Sequence, residues 1–380
     1  MATAFAEIQK HYQKRDQAAR DWKKNGGRVV GYFCDTVPDE LIMAAGFFPL
    51  RLSGDPNSGT GEIDKYLESF YEGFVRTSLN MLLTGKYDFV DFLVIPRARD
   101  SVAQMYSHLC NIKSLNPAVK LPVFYFLPQV QPRSYMSEFY NRDRILDFKK
   151  QMEEWAGKKI TAKALSRAIA ITNENRTLLQ QVAALRAADP PRISGVEALQ
   201  IIGSAMFMLK EEHNKLLREF LKGADRLPAR AGARLFIEGS PLDNLAFYQL
   251  VESCPATIVA EDNCWGNRYS DVLIDTSLDP LEAITSRYHN KSPCPYVMFP
   301  PDLRAEYCRD KAVEARAQGV IFYILDWDAA QLWDYPDQSR VLAEKGIPTV
   351  RFIKQNYRLS EPERLKTEIN KFITAFPANG

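Results

Sequence analysis

Histidine is scarce, paired cysteine is absent and net charge is small in this chain of 380 residues. Four histidines, widely separated, are too few for a histidine-rich metal site. The six cysteines, at 34, 110, 254, 264, 294 and 308, include no C-x-x-C pair. The opening stretch Met1-Ala2-Thr3-Ala4-Phe5-Ala6-Glu7 carries no export pattern, so the expectation is reduced thiols in a cytoplasmic protein. A formal charge of +2 gives no electrostatic reason to expect nucleic acid as a partner. No apolar run is long enough to cross a membrane, so no membrane partner is expected. What is present is ordinary for a globular protein: 46% apolar and 25% charged residues, in a chain long enough for two or three domains with buried cores.

The first third alternates strand and helix signals. Residues 1 to 25, rich in Lys, Arg, Gln and Ala, read as a solvated amphipathic helix ended by Gly26-Gly27. Val29 to Phe33 reads as a strand. Pro38-Asp39-Glu40-Leu41 opens a helix, with Pro in its first turn and acids beside it. Phe48 to Leu52 is a second strand, and residues 53 to 62 form a Gly/Ser/Pro/Asn loop. Tyr66 to Leu83 reads as a helix carrying Glu72 and Arg76 four residues apart on one face. Phe89 to Ile95 reads as a buried strand, and the loop Pro96-Arg97-Ala98-Arg99-Asp100-Ser101 leads from it into a helix from Val102. Open α/β sheets place ligands at such strand-to-helix loops. Two arginines there suit carboxylate or phosphate, although a solvated loop with two arginines is the commoner case. Leu121 to Phe126 is a further strand.

From Tyr135 to Arg218 the pattern is helical, best at Ala162 to Arg186 and Gly195 to Leu221. Strand signals then resume at Arg234 to Glu238, Thr257 to Ala260, Gly319 to Leu325 and Pro348 to Ile353, with a last helix at Glu361 to Phe376. Gly239-Ser240-Pro241 reads as a turn into a helix ending near Ser253. The expected fold is α/β: two parallel-sheet lobes with helices on both faces, joined by a helical middle segment. The lobes are 1–134 and 231–380, and the segment is 135–230. Their strand-end loops would face one another across a cleft suited to a small molecule.

Gly31-Tyr32-Phe33-Cys34-Asp35-Thr36-Val37-Pro38-Asp39-Glu40-Leu41, followed by Ala44-Ala45-Gly46, resembles the amino-terminal signature of 2-hydroxyacyl-CoA dehydratase subunits, which benzoyl-CoA reductase subunits share. Glu261-Asp262 through Cys264 to Arg268-Tyr269 resembles a second family motif. Gly319 to Leu325, Asp334-Tyr335-Pro336 and Gly346-Ile347-Pro348 resemble the carboxyl-terminal one. Asn173-Glu174-Asn175-Arg176 sits where the family's middle helix has its Asn and Arg. The likeness runs from about residue 28 to 355, and the length suits the smaller, beta-type subunit. The resemblance implies a heterodimer with [4Fe–4S] clusters near an acyl-CoA site, and a separate ATP-dependent activator that injects one electron. Dehydratases of this kind, which are lyases, eliminate water through a ketyl radical; the reductases, CoA-thioester oxidoreductases of anaerobic metabolism, reduce an aromatic ring.

One departure from the family stands out. Its three cluster cysteines correspond here to Glu72, Arg99 and Trp327. Thiolates bind iron as soft, charged donors. A protonated guanidinium has no lone pair to give, and indole offers only an N–H donor. The expectation is therefore no metal and no cofactor bound by this chain, with the [4Fe–4S] cluster in a cluster-bearing larger partner subunit. Glu72 and Arg99 should then pair as ions in the vacated site, with Trp327 filling volume.

Other residues are open to two readings. Cys34 and Cys264 read as buried packing thiols; a replacement cluster from these two and a third cysteine is the sharper alternative. Ser240 before a helix can meet a phosphate of coenzyme A or mark a plain turn. Arg97 is an anion contact or is solvated. Arg268 orients an acyl-CoA or clamps backbone carbonyls. Glu40 reads as a helix-start charge rather than a catalytic base, and His108 as packing or surface. The rival function is an independent, non-redox acyl-CoA or carboxylate-binding protein using Arg97, Arg99 and Arg268. A third possibility keeps the redox chemistry with a non-standard cofactor in the altered pocket.

Overall fold

The computed structural model describes residues 2–130, 134–291, 294, 296 and 300–376. The first sheet comprises β1 (Val29–Tyr32), β2 (Phe48–Arg51), β3 (Phe92–Pro96) and β4 (Val123–Leu127), all parallel, in the order β2-β1-β3-β4. The second comprises β5 (Ala233–Gly239), β6 (Ala256–Glu261), β7 (Gly319–Leu325) and β8 (Thr349–Gln355), also parallel, in the order β6-β5-β7-β8. The two sheets therefore share one connectivity. In each, the chain first steps to one side and then crosses to the other, giving a switch point between β1 and β3 and between β5 and β7.

The helices of the first lobe are α1 (Ala2–Gln13), α2 (Gln17–Lys24), α3 (Asp39–Ala45), α4 (Gly73–Leu83) and α5 (Asp100–Leu115). The middle segment holds α6 (Tyr135–Ala156), α7 (Ala162–Ala187), α8 (Gly195–Ser204) and α9 (Lys210–Leu221). Around the second sheet lie α10 (Ala246–Glu252), α12 (Pro301–Glu314), α13 (Ala329–Ala343) and α14 (Pro362–Thr374), while α11 (Pro280–His289), between β6 and β7 in the chain, packs back against α6 and α7. Local chemistry explains several boundaries. Ser134, Thr161 and Ser194 each cap the helix that follows with a side-chain oxygen, Ser194 in a reciprocal box with Glu197. Gly46, at φ 90°, ends α3 in the left-handed conformation that suits glycine.

Every residue of β7, Gly-Val-Ile-Phe-Tyr-Ile-Leu, is buried, as expected of a strand covered on both faces. One continuous apolar core includes Val29 and Leu93 of the first sheet, Ile202 of α8 and Ile321 of the second sheet. A second core packs α3, α6 and α11 on the first sheet's other face, and a third packs α12 on the second sheet. Among the described residues no helix is long and apolar enough to cross a membrane.

Several expected elements differ. The amino-terminal stretch is two helices, and α1 is not solvated: Ala4, Ile8 and Tyr12 are buried, with α1 packed on α8 and α9. The helix expected from Gly195 to Leu221 breaks after Ser204, because the apolar run Ala205 to Leu209 turns rather than continuing. The strand expected from residue 89 begins at Phe92; Phe89 and Val90 are buried in the turn before it. The helix expected from Tyr66 begins only at Gly73, with Glu72 as its N-cap. Arg76 consequently reaches Asp64 and the Glu68 carbonyl instead of Glu72.

Buried charges tie the middle segment to both lobes. Arg176 Nη2 on α7 lies 2.5 Å from Glu40 Oε1 of α3, and Tyr288 of α11 donates to Glu40 Oε2 at 3.0 Å. Lys210 of α9 approaches Asp39 at 3.3 Å. Glu40 is thus more than a helix-start charge. Asn173 brackets the backbone of Ile274, donating to its carbonyl at 2.7 Å and accepting from its N–H at 2.9 Å. On the other side Arg186 forks onto both oxygens of Glu261 at the end of β6.

Candidate functional site

The two switch points face each other. β1 runs into Phe33-Cys34 and β3 into Arg97-Ala98-Arg99; β5 runs into Ser240 and β7 into Asp326-Trp327-Asp328. Ligands of open parallel sheets sit at such places. The backbone is strained just beyond one switch strand of each lobe: Cys34 has φ 58° and Trp327 φ 67°. Gly239 closes β5 at φ 119°, and a Cβ there would lie 2.4 Å from the Tyr323 carbonyl oxygen of β7. Only glycine permits that approach of the two central strands.

A cleft of about 320 Å³ opens here, lined by Glu72, Arg99, Ser101, Tyr296, Trp327 and Asp328 among others. Arg99 Nη1 donates to Glu72 Oε1 at 3.1 Å, and its Nη2 lies 3.8 Å from Asp328 Oδ2. The guanidinium also stacks on the Tyr296 ring, 4.0 Å from its centroid. Asp328 in turn accepts from Ser240 Oγ at 2.6 Å and from Tyr296 Oη at 2.7 Å. Burial pushes the Tyr296 phenol well above its ordinary value, so it remains a donor at neutral pH. Both carboxylates and the guanidinium are buried, so the ion group is fixed rather than fluctuating in water.

Three helix starts converge on this cleft. Glu72 is the N-cap of α4, Arg99 of α5 and Asp328 of α13, and none of them caps its helix with its own side chain. Each start carries roughly half a positive charge. The site therefore favours negative charge, and Glu72 and Asp328 supply it. The acid–base–acid arrangement is the electrostatic complement of three dipoles plus one guanidinium.

Of the remaining candidates, Trp327 lines the cleft and Ser240 meets it through Asp328. Trp327 does not fill the site: it is 55% exposed and meets Phe70 at the rim, ring centroids 6.2 Å apart. Its left-handed backbone turns the indole outward, and Tyr296 occupies the space against Arg99. Ser240 precedes a loop, since α10 begins only at Ala246, and its Oγ is committed to Asp328 and to the N–H of Leu325. It is a turn residue and not a phosphate cradle. Arg268 is buried and ion-paired with Asp262, so it is a clamp of the fold. Arg97 is exposed and lies outside the cleft lining. His108 shares a 3.0 Å hydrogen bond with Tyr71. All six cysteines are free. Cys34 and Cys264 are half-buried rather than core thiols, with Cys264 Sγ 3.0 Å from Arg51 Nη2. Burial pushes the Cys34 thiol up to about 12. Sequence reasoning missed Asp328 and Tyr296. The former had one signal, a polar residue just after the most apolar strand.

Glu238, two residues before Ser240, is buried, and among the described residues no ion pair reaches it. Burial first, then the nearby Asp262, raises its carboxyl well above the ordinary value; Asp262 itself is pushed up to about 6 by burial, despite Arg268. A raised native value means that stability is complete below the unfolded value and is lost as pH rises toward the native one. Above pH about 5 the unfolded chain has released this proton and the native chain has not, a loss of up to about 1.4 kcal/mol per pH unit. Glu238→Gln is expected to flatten that decline. Melting temperatures of both proteins between pH 5 and 8 check it; parallel curves would refute it.

Comparison with known proteins places this geometry. A family model described as "2-hydroxyglutaryl-CoA dehydratase, D-component" matches residues 34–375. The chain is 25% identical over 357 residues to the (R)-phenyllactyl-CoA dehydratase beta subunit of Clostridium sporogenes, covering 92% of each chain. It is 25% identical over 367 residues to one of the subunits of benzoyl-CoA reductase from Thauera aromatica, covering 93% of each. To the (R)-2-hydroxyglutaryl-CoA dehydratase beta subunit of Acidaminococcus fermentans it is 25% identical over 338 residues, 87% of this chain and 88% of that one. The matched span takes in β2 to β4 of the first sheet, the whole second sheet and all three helix starts around the cleft, and the chain belongs to the 2-hydroxyglutaryl-CoA dehydratase D-component family.

Proposed function

We propose that this chain is the beta-type subunit of a 2-hydroxyacyl-CoA dehydratase or aryl-CoA reductase complex in the cytoplasm. A partner chain carries the [4Fe–4S] cluster and the chemistry on the acyl-CoA, an ATP-dependent activator feeds that chain electrons, and this subunit binds no cluster of its own. The observation that carries the reading is the donor set at the three helix starts. Glu72, Arg99 and the Trp327-Asp328 pair stand there, with Arg99 engaged by both acids. A guanidinium offers no lone pair and indole none in its plane, so two carboxylates, both engaged with Arg99, would have to do the work of three thiolates. No cysteine lines the cleft, and among the described residues no group of three His, Cys, Asp or Glu side chains is placed to hold a metal. The donors present do not fit an iron–sulfur cluster.

The rival reading, an independent acyl-CoA or carboxylate binder, needs a guanidinium available to an anion. Arg99 is held by Glu72 and Asp328, Arg268 by Asp262, and Arg97 lies away from the cleft. These facts favour the subunit reading. The expected result of anaerobic purification of this chain alone is no bound iron and no turnover, with activity only when its partner is restored. Stoichiometric iron–sulfur absorbance in the isolated chain would overturn the proposal. Tight calorimetric binding of short acyl-CoAs by the isolated chain would favour the rival.

A further inference from the structure

A second cavity lies at the edge of the first sheet. β2 runs out at Arg51, and the loop from Leu52 to Asn57 that follows it walls a space of about 350 Å³. Residues 13, 15 and 16, at the junction of α1 and α2, close one side. Asn244, from the loop after β5, reaches in from the second lobe. The lining shares no residue with that of the cleft. Parallel sheets hold ligands beyond the carboxyl ends of their strands, and the volume falls in the range of about 300–1,000 Å³ common for small-molecule sites.

The charges of this wall do not balance from within. Both of its acids are engaged, Asp16 with Arg20 at 2.7 Å and Asp55 with Lys86 at 3.0 Å. Its two arginines are not. Among the described residues neither Arg15 nor Arg51 has a carboxylate within ion-pairing distance, whereas Arg99, Arg176, Arg186 and Arg268 each have one. The Arg15 guanidinium is nevertheless held in place. It lies against the Tyr12 and Phe207 rings, 4.6 and 4.9 Å from their centroids, and its Nε and Nη2 donate to the carbonyls of Tyr12 and Asp243. Its Nη1 donates to no described residue. Arg51 is 2% exposed and stacked on Trp265, with Nη1 and Nη2 on Cys264 and no partner for Nε. The Asp243 carboxylate is taken up by Tyr357 Oη and the Gly54 N–H. Leu50, Leu52 and Met81 give the same cavity an apolar wall. We propose that this cavity binds a small monocarboxylate with an apolar body. The carboxylate meets Arg15 Nη1 in the field of Arg51, and the body lies on the three apolar side chains. A bare inorganic anion would leave that wall unused, and a thioester lacks the charge, so the ligand is a free organic acid. The assignment stands apart from the subunit reading, because it uses nothing of the cleft.

Calorimetric titration of the full chain with hexanoate and with benzoate, one flexible body and one rigid, tests this. Both are expected to bind saturably, one per chain, and inorganic phosphate and the two methyl esters far more weakly. Arg15→Gln is expected to weaken both carboxylates at least about tenfold, the worth of a charge-assisted hydrogen bond. Asn57→Asp, an exposed change that adds a negative charge to the wall, is expected to weaken them severalfold while leaving the packing of Arg15 intact. Arg97→Gln, exposed and lining neither cavity, is expected to change nothing. Circular dichroism and melting show that each variant is folded; if Arg15→Gln is not, Asn57→Asp decides. No saturable binding by the wild type overturns the site, and so does undiminished binding by Asn57→Asp. Phosphate binding as tight as that of the carboxylates, or an equal loss in Arg97→Gln, overturns it as well.

Discussion

Arg176→Met is expected to cost about 3–5 kcal/mol of folding stability, more than any surface substitution in this chain. Arg176 is among the largest fully buried side chains. Its Nη2 lies 2.5 Å from Glu40 Oε1 and 3.8 Å from Asp39 Oδ1. Removing the guanidinium leaves Glu40 inside the protein with Tyr288 as its remaining donor, and Asp39 leaning on Lys210. A buried carboxylate stripped of its cation carries the full cost of desolvation, while the intact pair only roughly recovers it. The double variant Arg176→Met with Glu40→Gln should therefore recover much of the loss. Urea denaturation of the wild type, both single variants and the double variant measures the coupling. Additive losses would mean that the two groups do not depend on each other.

The same network shows what the sequence made legible. Parallel strands buried on both faces are near-continuous apolar runs, so β5, β6 and β7 were readable from residue types alone. Helix starts were harder. Tyr66 to Leu83 has helical spacing throughout, yet residues 66–72 are turn and loop and the helix begins only at Gly73. The Glu72–Arg99 contact joins residues 27 apart on different elements. No local pattern encodes it, and only the correspondence with the family's cysteines pointed to it. Asp328 and Tyr296 lay outside even that correspondence. Asp328 is recognisable as a functional residue only once Ser240, Tyr296 and Arg99 are seen to meet on it. Likewise the Glu261-Asp262 motif carries a family resemblance in sequence, and in space both acids are spent on arginines, Arg186 and Arg268, that hold the fold.

If the cleft kept the shape of a cluster site and changed only its donors, replacing those donors should be enough to return it. The triple variant Glu72→Cys, Arg99→Cys and Trp327→Cys is expected to take up about four irons per chain on anaerobic reconstitution with iron and sulfide, where the wild type takes none. The physical case has three parts. The three positions stand at or just before the starts of α4, α5 and α13. Those starts favour an anion, which a thiolate-ligated cluster is and which Glu72 and Asp328 now provide in its place. Removing Arg99 also removes the one cation among the three ligand positions, whose charge opposes iron. Each single cysteine variant should stay colourless, since one or two thiolates do not hold the cluster and Arg99 or Glu72 still blocks the remainder. Iron and sulfide analysis with visible absorbance reads the outcome, and a cooperative melt shows that the variant is folded. A folded triple variant without iron would mean that the three positions do not converge as a ligand set. Stoichiometric uptake by the wild type would mean that this chain holds a cluster elsewhere.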